Sequence, residues 1–180
     1  TDFSTAAPAP RNGASPVFTC GVVLPPTLSA GTLAGFGNVC INTLTAANSF
    51  TITGSNLTNA NVTVGALAGF TFSTTVAGTY TATLSLVQPG GAYSQQIFVK
   101  FNPTAVQSYN GNIAVGGGGA TSINVAATGA GVNTLASVTT GAASAITQTT
   151  ATLAGSITAN GCSAITAYGV EYSLTNVFHN

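Results

Sequence analysis

Charge is the first thing this sequence lacks. Of 180 residues only Asp2, Arg11, Lys100 and Glu171 carry it, and the formal net charge is zero. An ordinary soluble domain is roughly one-quarter charged. Two cations cannot neutralise a phosphate backbone, so nucleic acid is excluded as a partner. Between Asp2 and Glu171 there is no carboxylate, whereas paired carboxylates, a Ser-His-Asp triad and a calcium cage each need at least one. The single histidine, His179, stands next to the last residue, and Cys20, Cys40 and Cys162 show no zinc-ligand spacing. No catalytic residue, cofactor site or metal site is therefore expected, and the chain reads as non-enzymatic. No eighteen apolar residues run together, so no helix that spans a membrane is expected. No signal peptide is visible at Thr1, which fits a mature form or an internal segment. Copies with so little charge have almost no electrostatic repulsion to hold them apart. The surface must be made of Thr, Ser, Asn, Gln, Ala and backbone, which suits a component packed into a fibrous assembly or coated with glycan.

What the sequence has in quantity is a period of two. Ile97, Val99 and Phe101 alternate with Gln96, Phe98 and Lys100. Tyr109, Gly111, Ile113 and Val115 alternate with Asn110, Asn112 and Ala114, and Ile123, Val125 and Ala127 with Ser122, Asn124 and Ala126. Such alternation is the signature of half-buried antiparallel strands. Upstream, Phe50 and Ile52 alternate with Thr51 and Thr53, Val62 and Val64 form a short pair, and Phe70 and Phe72 flank Thr71. Tyr80, Ala82, Leu84 and Leu86 alternate with threonine and serine as the cleanest amphipathic run. Asn102-Pro103 stops one strand, Pro89-Gly90-Gly91 turns another, and Gly116–Gly119 make a further reversal. No helical pattern follows those glycines, so a hairpin loop is expected there rather than a phosphate cradle. Short strands at this spacing predict an all-β antiparallel sandwich over residues 27–131. Its expected core is Phe50, Phe72, Tyr80, Leu84, Ile97, Val99, Phe101, Tyr109 and Ile113, with Lys100 outward.

The phrase F-V-K-F-N-P-T-A-V-Q-S-Y-N-G-N-I (98–113) leads into I-N-V-A-A-T-G-A-G-V (123–132). Together they resemble the closing half of the immunoglobulin-like modules known as ASH or choice-of-anchor type. L-A-G-F-G-N-V-C (33–40) and S-F-T-I-T-G-S-N-L-T (49–58) resemble the front of the version found in large secreted proteins of Bacteroidetes. The resemblance covers roughly residues 27–132 and implies a structural module, since that family has no catalytic residues to carry over. Residues 133–180, with A-T-L-A-G-S-I-T-A-N-G-C-S-A-I-T-A-Y-G-V-E-Y-S (151–173), resemble the first half of a fibronectin-III-like domain. There Ala151, Leu153, Ile157, Tyr168, Val170 and Tyr172 are expected to face in, with Asn160-Gly161 as the hairpin turn. Cys162 stands where that family usually shows a small residue. Residues 1–26, with Pro8, Pro10, Pro16, Pro25 and Pro26, read as a Pro-rich linker. Asp2–Pro8 within them resembles the last strand of a preceding fibronectin-III-like repeat.

Cys20 and Cys40 bracket the start of the module. Either they pair, closing a loop of about twenty residues worth roughly 3 kcal/mol, or they are two buried thiols. Cys162 is then left over, free or paired outside the chain. Asn56-Leu57-Thr58 and Asn61-Val62-Thr63 fit the N-glycosylation acceptor pattern, which also arises by chance in a chain this rich in Asn and Thr.

The favoured expectation is a structural repeat segment of a long secreted surface fibre or adhesin stalk. Its partners are copies of itself or neighbouring repeats in a head-to-tail array, and its place is extracellular, at the cell surface. The resemblance implies export by the type IX route. The two ends invite completion by each other. The 180 residues are then either a window on a tandem protein, the preferred explanation, or subunits that exchange a strand. The rival is an accessory module of a secreted enzyme that binds surface glycans, for which Phe98 is the one clearly outward aromatic.

Overall fold

The computed structural model describes residues 23–172. The period-two segments form two four-stranded antiparallel sheets. The first has the order β1-β3-β7-β5: β1 (Thr27–Ala30), β3 (Asn48–Leu57), β7 (Gly91–Phe101) and β5 (Phe70–Ser73). The second has β6 (Leu84–Leu86), β4 (Val62–Val64), β8 (Gly111–Gly117) and β9 (Ala120–Ala127), in the order β6-β4-β8-β9. Phe50, Ile52, Phe70, Phe72, Ile97, Val99 and Phe101 project from the first sheet onto Val62, Val64, Ile113, Val115 and Val125 of the second, and all are buried. The molecule is a β-sandwich in which most positions on the inner faces are Val, Ile or Phe, residues that suit a pleated surface.

β7 organises the first sheet. It pairs with β3 from Asn48↔Val99 to Leu57↔Gly91 and with β5 from Phe70↔Phe101 to Ser73↔Phe98. Ile97, Val99 and Phe101 are fully buried, as expected. The rings of Phe70 and Phe101 stack at 4.8 Å, and Phe36 and Tyr109 close on Phe101 at 5.7 and 5.3 Å. The Tyr109 hydroxyl accepts hydrogen bonds from the Thr104 and Ala105 amides at 3.0 and 2.9 Å, pinning the turn that follows Pro103. The Thr104 hydroxyl lies 3.4 Å from that oxygen. With the two amides it holds the phenol below its usual pKa.

Tyr80 departs from the expected core. The run from Tyr80 to Leu86 is not one strand. Thr81 bridges Phe72 at the edge of the first sheet, whereas Leu84–Leu86 pair with β4 in the second. The chain crosses between sheets at Thr83, and parity is lost at the crossing. Opposite the inward Phe72 stands Thr81, so Tyr80 faces out. Its ring lies 4.4 Å beneath the Lys100 ammonium, and its hydroxyl donates to the Val76 carbonyl at 3.0 Å. Leu84 packs against the core but is only half-buried, and Ala82 is exposed. Lys100→Ala removes a cation–π contact between two half-buried side chains on the outer face and should cost no more than about 1 kcal/mol in a urea melt. A larger loss would place Lys100 in the core and contradict this register.

The glycine run divides into two parts. Gly116 and Gly117 remain in β8 opposite Thr63 and Val62, with a register shift between Val115 and Gly117. Only Gly118 and Gly119 make the turn, at φ 59° and 75°. Gly117 is required by approach as well as by its φ of 111°, because a Cβ there would fall on the Asn61 carbonyl oxygen. Gln88, a buried polar residue that the strand pattern does not reveal, fastens the neighbouring loops. Its amide donates to the Thr58 and Ala60 carbonyls at 2.5 and 2.6 Å and accepts from the Gly90 amide at 2.6 Å.

The end of the sandwich away from that turn is closed by a parallel pair, β2 (Asn38–Cys40) with β10 (Ala130–Val132). The Ile41 amide bonds to the Val132 carbonyl at 2.9 Å, and Asn42 and Thr45 bond to the carbonyls of Pro103 and Phe101. Beyond it, β11 (Ser137–Thr140) and β12 (Gly155–Ala159) form a separate two-stranded antiparallel sheet.

Candidate interface

Every side chain of β11 and β12 is exposed. The pair is held by its ladder, by a 2.7 Å contact between the Thr139 and Ser156 hydroxyls, and by the Gly141 amide on the Ala154 carbonyl. Residues 164–172 carry no strand. Asn160-Gly161 does turn the chain, with Gly161 at φ 66°, but no second strand follows among the described residues. Leu153 and Ile157 stay 44% and 38% exposed, and Tyr168 and Tyr172 88% and 78%. Instead of facing into a core, Leu153, Ile157 and Tyr168 border an open cleft. Val138, Leu153, Ile157, Tyr168 and Val170 line it, and its volume is about 640 Å³. The apolar face of this two-stranded sheet has no opposing layer among the described residues. Glu171 is the one charge at the rim.

The cysteines correct the sequence-based pairing. Cys40 is joined to Cys162, not to Cys20, which lies outside the described residues. The physical reason is the parallel pair, which sets Cys40 beside Val132 at the point where the chain leaves the sandwich. Gly161 then lies flat on the backbone of Thr134–Ala136, the Cys162 amide donates to the Thr134 carbonyl at 2.8 Å, and the two Cα atoms come to 5.4 Å. A separation of 122 residues gives no local cue. The available signal was a cysteine at a position expected to be small.

Asn56 is exposed at the end of β3 with φ 54°, beside a register irregularity between Gly54 and Leu57. Asn61 is exposed too, but its amide already donates to the Ser85 hydroxyl at 2.9 Å. Of the pair, Asn56 is therefore the better presented acceptor. On the outer face of β7, Phe98 is only partly exposed and the Tyr80 ring is capped by Lys100. The Tyr93 hydroxyl is buried without a hydrogen-bond partner among the described residues, and burial raises its pKa. No group of three His, Cys, Asp or Glu suited to a metal occurs among the described residues, and no helix there is long and apolar enough to cross a membrane. His179 lies outside them. No protein-family model matches the chain, and a search of curated proteins gives no match.

Proposed function

We propose that this chain is a non-enzymatic structural segment of an extracellular fibre or adhesin stalk. In this reading an immunoglobulin-like sandwich and part of a fibronectin-III-like unit repeat head to tail. The observation that carries the reading is the open apolar cleft on β11 and β12. Apolar faces of this kind are sites of association when they persist on a folded chain, and this one adjoins unpaired strand edges able to accept a further strand. The cover is supplied either by further sequence of a tandem protein or by a second copy.

Chain direction supports an array. Pro26 packs near Gly119 at the turn end of the sandwich, whereas Cys40, Val132 and Cys162 gather at the other end. Successive units entering at one end and leaving at the other stack in line. The Cys40–Cys162 bridge fits an oxidising, extracellular location, and export by the type IX route belongs to the same proposal. A platform for glycans on the sandwich ranks second, because there Phe98 is only partly exposed and the Tyr80 ring is capped by Lys100.

The native material tests this. Its assemblies should survive high salt, since the junction has almost no ion pairs to screen. On a denaturing gel a band near 17.6 kDa identifies separate subunits, and a very large band identifies a tandem protein. A monodisperse soluble monomer of these 180 residues with a closed C-terminal half would overturn the proposal.

A further inference from the structure

The bridge between Cys40 and Cys162 has a topological consequence under tension. A pull on the two ends of the chain follows the shortest covalent route. That route runs from Val23 to Cys40, across the two sulfurs, and from Cys162 to Tyr172. Residues 41–161 form a closed loop off this line. All the buried hydrophobic residues among those described, from Phe50 to Ala127, belong to the loop. Of the ten strands from β1 to β10, only β1 and β2 lie on the route.

We propose that Cys40–Cys162 is a tension bypass: it carries force past the sandwich, so that the core cannot be drawn out while the bridge is intact. The inference rests on the stalk reading only for the source of the force, because the bypass itself follows from where the bridge sits.

The geometry of β1 favours the same role. Thr27 lies at the Gly119 end, and by Phe36 the chain has reached Thr128, to whose carbonyl the Phe36 amide bonds. β9, from Ala120 to Ala127, separates these ends by about 24 Å at the usual strand rise. A pull that enters at one end and leaves at the other acts along β1, which is paired with β3 from Thr27↔Ser55 to Ala30↔Ile52. Hydroxyl contacts of 2.8 Å (Thr27–Ser55) and 2.7 Å (Ser29–Thr53) lie across the same pairing. Force along a strand loads these bonds together, whereas force across it would open them one at a time. The exposed part of the route is therefore also arranged to resist.

Single-molecule extension of the full chain, held at both termini beside a marker domain of known length, tests the bypass. With the bridge intact, the described part of the route can release only residues 23–40 and 162–172, about 100 Å at most when fully extended. Adding a thiol reductant, which gives two electrons and two protons to the disulfide and is itself oxidised, should free the loop. The 122-residue separation then adds about 400 Å at some 3.4 Å per residue. The expected result is that this long step appears after reduction in chains folded beforehand, and appears without reductant in Cys40→Ser. A long step in oxidised wild-type chains would overturn the bypass, and so would its absence after reduction. Should Cys40→Ser not fold, reduction of pre-folded wild type under force still decides. The head-to-tail reading is judged separately by the mass and sizing of native material, so either idea can fail alone.

Discussion

Phe101→Ala should lower the unfolding free energy by about 3–5 kcal/mol, the largest loss expected from any single side chain in the sandwich. The ring is fully buried, stacked on Phe70 and flanked by Phe36 and Tyr109. Backbone frames it as well. Cβ atoms built on Gly69 and Gly129 would lie 3.0 and 2.8 Å from its edge, so both chain segments pass against the ring itself. Main chain fixed by neighbouring hydrogen bonds, such as Asn102 to Gly69 and Tyr109 to Gly129, cannot easily move in to fill the space. The cavity should therefore persist and the cost lie near the upper end. Urea unfolding of Phe101→Ala and Lys100→Ala, adjacent residues on opposite faces, gives the cleanest comparison. A shift below about 1 kcal/mol for Phe101→Ala would show that this end of the core collapses freely.

Loss of the bridge should cost about as much, through a different mechanism. Tying residues 122 apart removes loop freedom from the unfolded chain. The chain-entropy relation gives about 5 kcal/mol for a loop of that size, compared with roughly 3 for the twenty-residue loop of a Cys20–Cys40 pair. Cys162→Ser should therefore lower the denaturant midpoint strongly, and thiol reductant should do the same to the wild type. Cys20→Ser should leave the midpoint nearly unchanged. Equal losses in Cys20→Ser and Cys162→Ser would contradict the bridge described above. The two effects are also separable in kind: the phenylalanine acts on the folded core, the bridge mainly on the unfolded ensemble.

The sequence was most informative where a strand is continuous and buried on one face. The alternation through Gln96–Phe101 and Asn110–Val115 has a single solution, because a slip of one residue would turn Lys100 inward and Phe101 outward. It was misleading at Tyr80–Leu86, where alternation continues in the letters but the chain leaves one sheet for the other. Periodicity reports parity along a strand, and nothing in it marks a crossing. The same limit applies at Tyr168–Tyr172. Alternate aromatic and aliphatic residues there imply an inward face, yet an inward face needs a second layer, and these residues remain exposed.

By itself, then, the sequence determined that this is an all-β chain, which residues of its long strands are buried, and that almost no charge is available for chemistry or for ionic partners. Those properties are local or compositional, and each is readable from a few neighbouring residues. Tertiary structure alone decided which cysteine meets Cys40, because Asn38–Cys40 and Ala130–Val132 come together only when the sandwich closes. It alone decided that Tyr80 lies under Lys100, since that depends on where the chain changes sheets. The open cleft on β11 and β12 is likewise a fact of three dimensions: an apolar pattern says that a face is to be covered, and only packing shows whether the cover is present.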